Sequence, residues 1–172
     1  RYLDVAHGGP GWARNNGARI AAGSLLLFLD DDIRAGDMLL SEHVKMLRRN
    51  ARSVVMGNVV PYPGTGMLNR LLFELNTKNF RHGEVMEFNA ISANLSMRKE
   101  HFQASGGFSE ELLHCEDTEL GFRLVHQLGL TLLFNEKAIG YHDKKVRLEE
   151  AARIQFQAGR DMIRALRMSP GM

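Results

Sequence analysis

"LLLFLDDDI", residues 25–33, runs five apolar side chains straight into three consecutive carboxylates, Asp30, Asp31 and Asp32. An apolar run too short for a helix, with Gly23 before it, reads as a central strand covered on both faces. In open α/β sheets ligands sit beyond the carboxyl ends of the strands, so this strand delivers three aspartates to the place where a site belongs. Like charges held together repel one another unless a cation neutralises them, and a hard divalent cation takes oxygen ligands. A polar turn with one aspartate capping the next helix accounts for one carboxylate; a metal accounts for all three.

Working outward, helical and strand signals alternate, which favours an α/β layered architecture. Before the strand, "GWARNNGARIAA" (11–22) suits a helix, with Pro10 in its first turn and Gly23 as its stop. After it, Asp37 is placed to cap "MLLSEHVKMLRR", where Leu40, Val44 and Leu47 recur at helical spacing. "SVVMGNVV" (53–60) reads as a strand, "PYPGTG" as a turn, and "MLNRLLFELNTKNF" (67–80) as an amphipathic helix over the site or at its rim. "ANLSMRK" resembles a strand and "EHFQASGGFSEEL" a short helix with a glycine turn. "EDTELGFRLVHQLG" is a helix closed by Gly129. "TLLFN" and "AIGYH" are two short strand candidates. From Arg147 to Met168 the apolar residues Ala151, Ile154, Ala158, Met162 and Leu166 follow at intervals of three and four, as in an amphipathic helix. With no internal repeat or linker, the 172 residues make one domain: a core with the site motifs over 1–142 and a basic helix over 143–172.

Composition narrows the function classes. The single cysteine, Cys115, excludes an internal disulfide and a zinc site of paired thiolates, and fits a reducing compartment. No uninterrupted apolar run reaches the roughly 18–20 residues of a membrane-spanning helix. Net charge is +2, and residues 143–172 carry seven Lys or Arg against four Asp or Glu, so the surplus lies in the tail. Such a tail suits a solvated helix face or contact with anionic lipid. There is no G-x-x-x-x-G-K-[ST] phosphate loop and no G-x-S-x-G elbow to accompany "HGGPG" (7–11), which is a turn before a helix. The order of oxygens in "DDDIRAGDMLLS" is not that of an EF-hand. A strand-end aspartate also suits the nucleophile of an acidic-site phosphatase or phosphotransferase.

Taken in order, "GPGWARNNGARIAAGSLLLFLDDDI", "SGGFSEE", "EDTELGFRL" and "YH" resemble the inverting family 2 glycosyltransferases of the GT-A fold, over roughly residues 8–142. The resemblance implies an α/β, Rossmann-related mixed sheet flanked by helices, with the C-terminal amphipathic helix added. It implies transfer of a sugar from a UDP-, GDP- or dTDP-linked donor to a saccharide or lipid-linked acceptor, dependent on Mn2+ or Mg2+. Polysaccharide biosynthesis at the cell envelope, a cytoplasmic location at or near the membrane face, peripheral membrane contact through the C-terminal helix and no nucleic-acid partner are the matching expectations. Relatives begin with a strand–helix–strand unit that holds the nucleotide base. Residues 1–9 do not supply one, so the chain is expected to be the C-terminal two-thirds of a catalytic domain. A non-catalytic carbohydrate-interaction module with a degenerate site is a further reading.

The implied roles follow the motifs. Arg14, in "ARNNG", would lie near the donor diphosphate, where a guanidinium pairs with phosphate oxygens. Asp30 and Asp32 match the ends of a D-x-D motif: Asp30 near the ribose or the metal, Asp32 on the cation, and Asp31 in the variable middle of this donor-binding group. Gly106 and Gly107 would admit close backbone approach on the acceptor side; Ser109 stands where an acidic residue is common. Glu116 and Asp117 match the catalytic pair, with Asp117 as general base, although acidic residues also favour the first turn of any helix. His142 matches a histidine that completes the metal site.

Overall fold

Among the described residues the tri-aspartate strand lies at the end of the sheet and not in its middle. The structure, a computed structural model, describes residues 8–67, 70, 71, 83, 85–87, 89–143 and 147–172; the helix expected over 67–80 falls mostly outside them. Along the chain come α1 (Gly9–Ile20), β1 (Leu25–Leu29), β2 (Ile33–Ala35), α2 (Leu39–Arg49), β3 (Ser53–Pro61) and β4 (Val85–Met86). Then follow β5 (Asn94–Arg98), α3 (Lys99–Ala104), α4 (Glu116–Phe122) with a π-helical extension Arg123–Gln127, β6 (Thr131–His142) and α5 (Leu148–Met168). The sheet order is β1-β5-β3-β6-β2, with β4 on β6 as well. Among the described residues only β3 and β6 pair in parallel, so the sheet is mixed.

Burial shows where the centre is. Val54–Met56, Asn94–Met97 and Leu132–Asn135 are buried without interruption, whereas β1 alternates: Leu26 and Phe28 are buried and Leu29 is exposed. Among the described residues α2 packs mainly over β6 and β3, and to a lesser extent over β5. Leu25 and Leu27 are half-buried and Leu29 is exposed, so among the described residues the expectation of a doubly covered central strand is corrected to an end strand fully buried on one face only. On the opposite face Phe28 packs against Phe102 of α3 and Phe108, with ring centroids 5.1 and 5.0 Å away. Around them gather Ala18, Val54, Met56, Leu95, Met97, Leu120, Leu132 and Phe134.

Several boundaries move for identifiable reasons. α1 begins at Gly9, with Pro10 in its first turn, and ends at Ile20 with Ala21 as its cap, so Gly23 is not the stop. α2 is capped by the backbone of Met38, and Asp37 makes no cap bond. Its buried stripe is Leu39, His43 and Leu47 rather than Leu40, Val44 and Leu47; Leu40 is 64% exposed. The polar His43 sits in that stripe because two partners receive it. Its Nδ1 is 2.7 Å from Ser96 Oγ and its Nε2 is 2.8 Å from Asn94 Oδ1. The Asn94 amide nitrogen donates to the Ala138 carbonyl at 2.8 Å, so the oxygen faces His43; Nε2 then carries the proton and Nδ1 accepts from Ser96.

The two candidate strands "TLLFN" and "AIGYH" are one strand, β6. The pairing with β3 jumps from Gly57↔Asn135 to Asn58↔Ile139, so residues 136–138 bulge out without ending the strand. Gly57 is required there, since a Cβ would stand 2.2 Å from the Asn94 amide nitrogen. In α5 the inner positions are Asp161 and Ala165, with Ala151, Ile154, Ala158 and Met162 half-buried and Leu166 exposed.

Candidate functional site

The chain turns tightly at the tip of β1. The Asp30 N–H donates to the Ala93 carbonyl at 3.3 Å, and the Ile33 N–H donates back to the Asp30 carbonyl at 3.1 Å. This turn sends the chain into β2, which pairs with the end of β6 so that Ile33 lies opposite His142. Asp32 is thereby brought to His142, with Oδ2 3.5 Å from Nε2. The other carboxylate oxygen, Oδ1, is buried and has no hydrogen-bond partner among the described residues. A buried, unbonded carboxylate oxygen is costly, and with an imidazole nitrogen beside it the pair suits a hard or borderline cation. Asp31 is exposed. Among the described residues no group of three His, Cys, Asp or Glu side chains is gathered about one point, because Asp30 is engaged elsewhere.

Asp30 is engaged by Arg14. One terminal nitrogen of the guanidinium lies 2.7 Å from Asp30 Oδ1 and the other 2.6 Å from Glu116 Oε1. The side chain also lies over the Phe108 ring, 5.4 Å from its centroid. Arg14, which the resemblance puts near a diphosphate, thus has both nitrogens on carboxylates, and it joins the strand tip to the start of α4. Burial lowers the guanidinium's proton affinity, but Asp30 and Glu116 outweigh it and hold the group above its ordinary value. Burial, with the neighbouring Asp117 charge, pushes the Glu116 carboxyl up, and Arg14 opposes that.

Asp117 is only half-buried and is aimed by three donors. Oδ2 accepts from the Ser92 N–H at 3.0 Å and faces the Ser92 hydroxyl at 3.2 Å; Oδ1 accepts from the Thr118 N–H at 2.8 Å. Ser92 precedes Ala93, whose carbonyl holds Asp30, so one short segment touches both halves of the site. Ser92 was not legible in the sequence, since "AISAN" resembles any loop before a strand. Cys115, just before Glu116, takes a left-handed backbone with φ 62°. Its thiol is pushed up to about 11 by burial and by the charges of Asp117, Glu116 and Asp161, so it stays protonated.

The glycine pair has a local explanation. Gly106 and Gly107 both have φ 81°, and a Cβ on Gly107 would stand 2.7 Å from Asn15 Oδ1. Asn15 binds Phe108 at both ends, donating to its carbonyl and accepting from its N–H at 2.9 Å each. Arg123 donates to the carbonyls of Ser105 and Gly107 while pairing with Glu119. The bonds of this turn run to α1 and to the end of α4; the close backbone approach they need is to Asn15.

The sequence pattern of the family described as Glycosyl transferase family 2 matches residues 1–105. No curated protein matches in sequence. Among solved structures, the mannosyltransferase PcManGT from Pyrobaculum calidifontis, in complex with GDP-Man and Mn2+, is 18% identical with a TM-score of 0.62. The match covers 94% of this chain and 45% of that one. TarS 1-349 from S. aureus in complex with UDP-GlcNAc is 19% identical with a TM-score of 0.64, over 95% of this chain and 49% of that one. GalNAc-T7 with UDP, GalNAc and Mn2+ is 15% identical with a TM-score of 0.68, over 96% and 36%. At these identities the likeness is one of fold, the mixed helix-flanked sheet of the GT-A glycosyltransferases, and this chain spans less than half the length of each of the three.

Proposed function

Because the chain belongs to glycosyl transferase family 2, we propose that the protein it comes from transfers a sugar from a nucleotide-diphosphate sugar to an acceptor hydroxyl with inversion. The observation that carries this reading is the Arg14 bridge between Asp30 and Glu116. It sets the tip of the acidic strand and the carboxylate pair of α4 on either side of one guanidinium, within one site.

Asp117 is the general base. A carboxylate has about four lone-pair directions, and Ser92 and Thr118 fill three of them. The remaining one, on Oδ1, receives the proton of the acceptor hydroxyl as its oxygen attacks the anomeric carbon. The new C–O bond forms as the bond from that carbon to the diphosphate breaks on the opposite side, which inverts the centre. The nucleoside diphosphate leaves with its electron pair. Glu116 does not share this task, because Arg14 holds it.

Asp32 and His142 are the residues that would hold a divalent metal, Mn2+ or Mg2+; the unbonded Asp32 Oδ1 supports that fit. When bound, such a cation supplies positive charge for the departing diphosphate. Asp30 then serves the donor side through Arg14 rather than as a metal ligand, and Asp31 remains without a role. The donor is UDP-, GDP- or dTDP-linked and the acceptor a saccharide or a lipid-linked one, in polysaccharide biosynthesis at the cell envelope.

The outward face of α5 supports a peripheral contact with the cytoplasmic membrane surface. Leu148, Phe156 and Ile163 are exposed there beside Arg153, Arg160 and Arg167, the pattern of a helix lying flat on anionic lipid. Co-sedimentation with phosphatidylserine vesicles, weakened by Phe156→Ser, checks it. The test of the main reading is a screen of the full open reading frame against nucleotide sugars with Mn2+, scoring released nucleotide; no turnover with any donor would refute it.

A further inference from the structure

A buried carboxylate in mid-helix has to be satisfied by something, and Asp161 of α5 is only 5% exposed. Its Oδ2 accepts from the His114 N–H at 3.0 Å and faces His114 Nδ1 at 3.3 Å; its Oδ1 accepts from Arg164 at 3.2 Å. His114 lies two residues before Glu116. One turn back along α5, the Ala158 carbonyl faces Cys115 Sγ at 3.5 Å. Beyond the helix end, the buried Ser169 hydroxyl donates to Glu119 Oε1 at 2.8 Å. α5 therefore grips the base-bearing helix at its entry and again one turn further in.

The entry is the strained point. Cys115 is the only described residue other than glycine with positive φ, and a side chain in the left-handed region is strained and persists only where its surroundings enforce it. The bonds at His114 and Cys115 fall on that residue and its neighbour. The turn they hold directs Glu116 toward Arg14 and Asp117 toward Ser92.

We infer that Asp161 is a positioning residue for the general base: α5 locks the left-handed entry to α4, and through it the direction of Asp117. This rests on the reading of Asp117 given above. It makes α5 a working part of the site rather than an appended basic tail.

The experiment uses the full-length protein with Asp161→Asn and, as a milder break that leaves the entry bonds in place, Ser169→Ala. Amide hydrogen exchange is followed over residues 113–118 and over β3 and β5. Asp161→Asn is expected to speed exchange over 113–118 at least tenfold while β3 and β5 are unchanged. With an active donor, kcat should fall between about 10- and 100-fold, the cost of roughly ångström-scale misplacement. Calorimetric affinity for UDP or GDP with Mn2+ should stay within twofold. Ser169→Ala should shift kcat in the same direction by less. Unchanged exchange over 113–118, wild-type kcat, or a loss of nucleotide affinity parallel to that of kcat would overturn the assignment. If the wild-type protein turns over no nucleotide sugar, the functional reading fails on its own, and the exchange arm still decides whether Asp161 locks the turn.

Discussion

The two acidic ends of the site are built in opposite ways. At the β1 tip, Asp30, Asp31 and Asp32 come from one run of sequence, and a four-residue turn carries Asp32 to His142 at the end of β6. At the start of α4, Glu116 and Asp117 are also adjacent, but what holds them comes from far away: Arg14 in α1, Ser92 before β5 and Asp161 in α5, through His114. The first end is a local device that a motif reveals. The second is an assembly whose parts are scattered, and it depends on the whole fold being in place.

The contrast is open to direct attack, and the largest effect should come at the assembled end. Asp117→Asn is expected to cut transfer by about 10²- to 10⁴-fold, the usual contribution of a positioned base, with nucleotide and Mn2+ affinity nearly unchanged by calorimetry. Near-normal transfer would place the base elsewhere. Next comes Arg14→Met, which leaves Glu116 buried and unpaired and should lower stability by about 3 kcal/mol in urea unfolding. Adding Glu116→Gln should recover most of that; if it recovers none, the bridge does not couple the two ends. At the local end, Asp32→Ala should weaken Mn2+-dependent nucleotide binding by about tenfold or more while leaving urea stability close to normal. A variant with unchanged affinity in Mn2+ would count against the Asp32–His142 site.

The smallest effect probes the layer beneath both ends. Burial holds His43 below the ordinary histidine value, with Asn94 opposing. A group with a depressed folded pKa contributes stability that is complete above its unfolded value of about 6.5 and is lost as pH falls through its folded value. The urea midpoint should therefore decline from pH 7 towards pH 5. His43→Gln should reduce that slope, and a slope identical to wild type would show that His43 is not its source.

The same contrast explains what the sequence made legible. The acidic strand end, the glycine turn and the "ED" pair stand in an order that resembles the family, so fold class could be read from them. The position of β1 among the described strands could not: its composition is that of a buried strand, yet only alternate residues of it are fully buried. Nor could His43 be placed, because a polar residue in an apolar stripe contradicts helical periodicity until Ser96 and Asn94 are in view. The pairing of Arg14 with two carboxylates was not legible either, because a lone arginine in a motif carries no sign of Asp30 and Glu116. Nor could the role of Asp161 be read, since a carboxylate in a basic amphipathic helix looks solvated until its partner His114 is in view.

The end position of β1 has a practical consequence for the 172-residue chain in isolation. Among the described residues its outer ladder of amides and carbonyls pairs with nothing, and it belongs to the most apolar stretch of the sequence. An apolar margin of that kind is a template for stacking against copies of itself wherever no other segment covers it. The isolated chain should accordingly lose solubility as its concentration rises, by joining strand to strand along Leu25–Leu29, and a lysine introduced at Leu27 should keep it dispersed.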